Sequence, residues 1–285
     1  MRRKPTDRRL TPARADLAAA HLVGIVEAPR YVEARVMQVC ETVVNVAPAP
    51  DPTRGIDTQA IFGERVFVYD EEEGWAWGQL ERDDYVGYLP RAALRAPMRA
   101  ATHRVDAMRT FLYPGPSIKL PPVMPLLLGS PVHVLDVRGD FAITAEGAIF
   151  ATHLAPLGQV AADYVATAER FLGVPYLWGG RTSQGTDCSG LVQTAMRLAG
   201  RPAPRDSDML EAWAGEPLPI DDRLAHLRRG DLVFWKGHVG LMQDRERLLH
   251  ANGTHMLVVS EPLAEARQRI REKTFGPITS IRRPA

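Results

Sequence analysis

The side chains in this chain best suited to nucleophilic and general-base chemistry are Cys188, His238 and His250. Cys188 lies in TDCSGLVQTAMRLAG. Leu191, Ala195 and Leu198 recur at helical spacing, and Gly200 and Pro202 stop the pattern. The spacing predicts a helix with Cys188 in its first turn. A helix N-terminus presents free N–H groups and a partial positive charge, which lowers a thiol pKa. The Cys188 N–H is then a natural oxyanion donor. The preceding loop carries Gly179, Gly180 and Gly185, which let backbone approach a ligand closely. A buried structural thiol fits the same residues. His238 opens HVGLMQ and His250 ends RLLHAN. If Gly240 pairs opposite His250, the two imidazoles share one sheet face, one diagonal step apart. One can then orient the other, in the order nucleophile, base, orienter. Two half-buried sheet histidines are the plain alternative. Metal ligation by the three is disfavoured, because they stand on separate elements with no close pair.

The elements that must position these groups are legible from pattern. DYVATAERFLG reads as a helix ending at Gly173, and SGLVQTAMRLAG as a second. DLVFW, HVGLMQ, RLLHAN and LVVSE read as consecutive strands, with KG, DRER and GTHM as turns. Helices followed by an antiparallel sheet make this part α+β. Upstream, VMQVCETVVNV, RVFVYD, GWAWGQ and DDYVGYLP alternate with turn clusters such as APAPDPTRG. A further stretch contains PVHVLDVRGDFAIT, a hairpin around Arg138-Gly139-Asp140. The two stretches rhyme. Phe62-Gly63, VFVYD and Gly74-Trp75 parallel Leu128-Gly129, VHVLD and Asp140-Phe141, and Gly87 to Leu94 parallels Gly147 to Leu154. A strand-only repeat of about 60 residues implies two small β-barrels in tandem. The second copy lacks the Asp83-Asp84-Tyr85 segment of the first. The expected division is residues 1–30 as a partly helical or flexible lead-in, 31–97 and 101–157 as barrels, and 158–285 as the last domain.

Composition sets the outer limits. The chain has 285 residues, 45% hydrophobic and 24% charged, with 35 Lys+Arg against 34 Asp+Glu for a net charge of +1. That balance gives no basic field for nucleic acid, and no run is long enough to span a bilayer. Two cysteines make neither a disulfide framework nor a four-thiolate site. Cys40 reads as a core thiol, and the remaining histidines as surface or scaffold. Charged residues interrupt the apolar run Leu17 to Val26 on both sides, so the lead-in reads as something other than an export signal.

TDCSGLVQTAMRLAG, GDLVFW, HVGLMQ and LLHAN, in this order and spacing, resemble the NlpC/P60 cell-wall peptidases. The resemblance covers roughly Leu157 to Pro277. The β segments resemble bacterial SH3 domains, and the layout resembles γ-D-glutamyl-L-diamino acid endopeptidases that process murein peptides. The resemblance implies a papain-like catalytic domain behind two SH3-like barrels, with Cys188, His238 and His250 as its catalytic residues. It implies that Tyr176 and Trp178 line the substrate cleft, Tyr176 adding its hydroxyl to the oxyanion site. Asp187 would meet the substrate's α-amino group. Ser189 and Ser207 would bond the peptide, and Tyr85 would close over its N-terminal end. No metal or cofactor is required. The expected substrate is a murein-derived peptide with a free N-terminal L-Ala, cleaved before the diamino acid, in a cytoplasmic recycling role. A secreted or periplasmic hydrolase of intact wall, and a non-catalytic binder of wall peptides, are the competing readings. Neither the third-position diamino acid nor the oligomeric state is readable.

Overall fold

The computed structural model describes residues 7–284. The chain divides between Leu157 and Gly158 into two compact units.

The first unit holds two barrels. The first is built from β1 (Arg35–Val39), β2 (Val43–Val46), β3 (Thr58–Ile61), β4 (Arg65–Glu72), β5 (Trp75–Leu80), β6 (Val86–Pro90) and β7 (Leu94–Arg95). Five strands pair in the order β6-β5-β4-β1-β7, and β2 pairs with β3. Alternation turns Val66 and Val68 inward against Val39, Val46, Ala60 and Leu89. The second comprises β8 (His103–Val105), β9 (Arg109–Tyr113), β10 (Met124–Leu127), β11 (Pro131–Val132), β12 (Asp136–Arg138), β13 (Phe141–Ile143), β14 (Ala148–Phe150) and β15 (Leu154–Pro156). Its sheets run β11-β8-β15 and β10-β9-β14-β13-β12.

The sequence rhyme has a backbone counterpart. Gly63 N–H donates to Val39 O at 3.0 Å, and Gly129 N–H to Val105 O at 2.8 Å. Both glycines have positive φ, +84° and +89°. At Gly63 a Cβ would also sit 2.1 Å from Pro131 O, so glycine is required where the barrels meet. Thr42 Oγ1 donating to Pro125 O at 2.8 Å and the Arg95–Glu146 ion pair at 2.6 Å join the same two barrels.

In this region one expectation gains detail and another needs correction. The described part of the lead-in is a packed strap with a single short 3-10 turn at Ala20–Leu22. Leu17, Ala18 and Ala19 are fully buried against Tyr69, Trp77 and Val86, because the outer face of the first barrel gives the apolar run a surface to cover. Cys40 is half-buried rather than a core residue, with its sulfur 3.9 Å from Ala92 O.

The second unit carries α1 (Tyr164–Glu169), α2 (Cys188–Leu198), α3 (Ser207–Trp213) and α4 (Leu263–Lys273). Its strands are β16 (Glu216–Leu218), β17 (Leu232–Trp235), β18 (His238–Met242), β19 (Arg247–Asn252), β20 (Leu257–Pro262) and β21 (Ser280–Arg283). They form one antiparallel sheet in the order β16-β21-β17-β18-β19-β20. The two expected helices and four expected strands are present. The sequence pattern does not mark α3, α4, β16 and β21. These are short or strongly charged, and only Leu263, Ala266 and Ile270 give α4 a buried stripe. No helix among the described residues is long and apolar enough to cross a membrane.

Leu17→Ala tests the strap. Truncating a fully buried leucine costs about 2–5 kcal/mol. Urea unfolding of the N-terminal unit is expected to shift by that amount. A shift under about 0.5 kcal/mol, the size of an ordinary surface substitution, would show the strap lies outside the core.

Candidate active site

Asp187 caps α2 and stands at the centre of a buried polar knot. Its Oδ1 accepts from Gly190 N–H at 2.7 Å and Ser189 Oγ at 3.2 Å, and its Oδ2 from Gly179 N–H at 2.9 Å. Arg205, 1% exposed, grips the same carboxylate with two nitrogens at 3.0 and 2.7 Å. It also donates to Ser189 Oγ at 2.9 Å and Gly180 O at 3.3 Å. Two parallel bonds fix the carboxylate plane, a geometry lysine cannot supply. Gly190 belongs to the same knot. A Cβ there would lie 2.2 Å from Gly180 O, so the loop reaches the helix only over a glycine. These contacts set the first turn of α2 and the direction of Cys188.

The base side is set by strand register. Met242 faces Leu248 and Leu241 faces Leu249, where the paired ladder ends one residue short of Gly240 and His250. The two imidazoles meet on one side of the sheet just beyond that end, with His238 Nε2 2.9 Å from His250 Nδ1. On the other flank His250 is opposite Val259, and Glu261 is two residues along. Glu261 Oε1 lies 2.7 Å from His250 Nε2, and Arg269 of α4 holds both Glu261 oxygens at 2.6 Å. An ionised carboxylate only accepts, so His250 carries its proton on Nε2, although Asn252 Nδ2 also approaches that nitrogen at 3.0 Å. His250 Nδ1 is then an acceptor. His238 must donate from Nε2, which leaves its Nδ1 unprotonated and able to act as a base. Phe275 stacks on His238 at 5.3 Å and 6°, and Trp235 packs on it at 5.7 Å and 44°.

Burial governs the electrostatics. Cys188 is pushed up to about 12, chiefly by burial and then by the negative Asp187. The Val239 and Ser189 backbone N–H groups and the Arg205 charge work the other way and are outweighed. The helix terminus thus acts as the sequence suggests, but the thiol of the closed site stays protonated. His238 is brought down to about 3 by burial and by His250 and Arg269, with Glu261 opposing. Burial also lowers His250, against the pull of Glu261. Burial opposes ionisation of Glu261, but the bonds from His250 and Arg269 prevail and bring its carboxyl down to about 2. The resting pair is therefore a neutral thiol and a neutral imidazole above a carboxylate. Any attack by this thiol would have to be accompanied by proton transfer.

The Val239 N–H favours the Cys188 thiolate, so the strand of His238 lies against the head of α2. The half-buried Tyr176 hydroxyl is held protonated by burial and by Cys188 and Asp187. Trp178 is 71% exposed on the same loop. Ser189 is bound into the Asp187–Arg205 knot, and Ser207 opens α3 two residues beyond Arg205. Tyr85 belongs to the other unit, where it is buried in the first barrel's apolar core. Sequence reasoning misses Arg205, Glu261 and Arg269. The diagonal-register rule that pairs the histidines would have found Glu261 one strand further on. Nothing local marks Arg205, which sits in a segment that reads as a turn. Among the described residues no cluster of three or more His, Cys, Asp or Glu is arranged to hold a metal.

A thiol at a helix head, beside an imidazole relay on an antiparallel sheet, defines a papain-like cysteine peptidase. The sequence model of the NlpC/P60 family matches residues 173–272, and that of the bacterial dipeptidyl-peptidase SH3 domain matches residues 46–94. The γ-D-glutamyl-L-lysine dipeptidyl-peptidase of Bacillus subtilis is 30% identical over 242 residues, 74% of this chain and 78% of that protein. The protein of the same name from Bacillus cereus is 28% identical over 204 residues, 63% of this chain and 60% of that one. A solved NlpC/P60 family structure from Bacillus cereus superposes with a TM-score of 0.72 at 19% identity, covering 87% of this chain and 99% of that one. The chain belongs to the NlpC/P60 family.

Two measurements follow. Iodoacetamide alkylation of Cys188 is expected to accelerate with pH throughout pH 6–9, because a thiol pKa raised above neutrality keeps the thiolate fraction small there. A rate plateau beginning below pH 7 would instead reveal a thiolate–imidazolium pair. Glu261→Gln keeps an acceptor for His250 but removes the charge that favours a cationic relay. Peptide hydrolysis is expected to lose on the order of 10²-fold in kcat/KM with KM nearly unchanged. Unaltered kcat would remove Glu261 from the relay.

Proposed function

We propose that the chain is a cysteine endopeptidase that cleaves the γ-D-glutamyl-L-diamino acid bond of free murein peptides. The observation that carries the reading is the ordered relay Glu261–His250–His238, on the sheet whose strand β18 meets the head of α2 at Cys188. The names of the relatives supply the substrate class. In the proposed reaction Cys188 Sγ attacks the γ-carbonyl of D-Glu while its proton passes to His238 Nδ1. The oxyanion is met by the Cys188 backbone N–H and the Tyr176 hydroxyl. His238 gives the proton to the departing diamino-acid amine, and the C–N bond breaks. Water then attacks the thioester with His238 as base, releasing the D-Glu carboxylate and restoring the thiol. The imidazolium formed in each half-reaction is supported through His250 by the Glu261 charge. Exposed Trp178 offers the peptide an apolar surface.

The reading includes a free N-terminal L-Ala and, with it, a recycling role inside the cell. Asp187 is the proposed contact for the ammonium. Because Arg205 already grips both of its oxygens, a ligand amine would share this carboxylate rather than neutralise it alone. Diaminopimelate is the proposed third residue, and L-lysine is the variant that the relatives' names carry.

The test uses L-Ala-γ-D-Glu-meso-diaminopimelate, the L-lysine analogue and the N-acetylated form of each, with products followed by mass spectrometry. Wild type is expected to release L-Ala-D-Glu from the free-amine peptides and to cleave the acetylated ones about 10²-fold more slowly or worse. Cys188→Ala is expected to cleave none. Equal cleavage of free and acetylated peptides would sink the amine requirement and favour a hydrolase of intact wall. Inactivity of folded wild type on all four would sink the peptidase assignment itself.

A further inference from the structure

One face of the first barrel repeats a single motif twice. On β4, β5 and β6 the register places Asp70, Trp77 and Tyr88 in one cross-strand row, and Glu72, Trp75 and Pro90 in the next. Strand alternation puts all six on the same face. Each row sets a carboxylate beside an indole.

The first row is occupied by a cation from the chain itself. Arg14 of the strap stacks on Trp77, its guanidinium carbon 5.0 Å from the ring centroid. It pairs with Asp70, bonds Asp16 at 2.6 and 3.0 Å, and reaches the Tyr88 hydroxyl at 3.5 Å. A second arginine, Arg30, stands 3.6 Å from both Asp16 and Asp70. The second row has the same chemistry and no such occupant. Trp75 is half-buried, Glu72 and the neighbouring Glu73 are exposed, and neither carboxylate bonds a cation among the described residues. Both rows open on one cavity of about 390 Å³, lined by Trp75, Trp77, Tyr88, Asp70, Glu72 and Glu73 together with Arg14.

We propose that the Glu72–Trp75 row is a binding site for a flexible organic cation, the basic side chain of a peptide. The indole face attracts a cation through its quadrupole, and the carboxylate beside it supplies direction and charge. Arg14 in the adjacent row shows which group this arrangement accepts, and the cavity leaves room for an aliphatic stem along Trp75. The site lies wholly within the N-terminal unit and uses none of the groups assigned to catalysis. Its failure would leave the peptidase reading intact, and the reverse also holds. Exposed charges and an accessible indole give weak binding, expected in the millimolar range.

The test titrates the full chain with Nα-acetyl-L-lysine methylamide and follows tryptophan indole N–H resonances by NMR. The Trp75 signal is identified by its loss in Trp75→Ala. A saturable shift of that signal is expected, at least tenfold weaker for the Nε-acetylated probe, which keeps the stem and loses the charge. Glu72→Gln, an exposed substitution that leaves the core untouched, is expected to weaken binding at least threefold. Arg14→Gln removes the neighbouring cation and is expected to strengthen it. A Trp75 signal that does not saturate, equal response to the acetylated probe, or undiminished binding in Glu72→Gln would each overturn the proposal.

Discussion

The catalytic half of this protein depends on one buried ion pair. The Arg205 fork on Asp187 joins the loop carrying Tyr176 and Trp178, the head of α2 and the segment entering α3. A buried carboxylate without a partner costs several kcal/mol, and a buried guanidinium likewise, so neither side can be lost without disturbing the other. The pair does more than offset its own desolvation. It holds Asp187 where that residue caps α2, and the cap fixes where the Cys188 backbone N–H and thiol point. Gly190 and Gly180 permit the approach that brings the loop close enough for Arg205 to bridge it. The direction of the Cys188 thiol is therefore a property of the knot, and α2 by itself does not supply it.

The sheet contributes the other half of the site through neighbouring strands. His238 meets His250 just beyond the end of their paired ladder, and antiparallel register then carries His250 to Glu261, two residues along. Arg269 arrives from α4 to hold the carboxylate at the end. This order of partners dictates proton positions, because the ionised Glu261 can only accept. The tautomer of His238 is thus decided two side chains away. Burial favours the neutral forms of both Cys188 and His238. The helix terminus and the Val239 N–H favour the thiolate, but desolvation is the larger effect.

The N-terminal unit carries one plan twice. Both barrels have a positive-φ glycine that closes onto the first strand, at Gly63 and Gly129, and both have a 3-10 turn before their last strand, at Arg91–Ala93 and Ala151–His153. The first barrel alone acquires the strap, whose Leu17 and Ala18 cover a face that includes Trp77. That cover brings Arg14 onto the acidic and aromatic row, so a segment rich in arginine becomes part of the fold.

The sequence by itself determined the periodic features. Cys188 at a helix head and the strand of each histidine follow from spacings of two and about four residues, and the two barrels from a repeat of about 60, all of which survive without knowledge of the fold. It did not determine what crosses between elements. Arg205 meets Asp187 eighteen positions away, Arg269 meets Glu261 from a helix with a thin apolar stripe, and the strap finds a barrel face that no local pattern announces. The direction of the Cys188 shift belongs to this second group as well. A helix N-terminus is visible in sequence, whereas desolvation depends on everything packed around the thiol. Local hydrogen bonding and side-chain alternation are written along the chain. Burial and long-range charge pairing exist only once the chain has closed on itself.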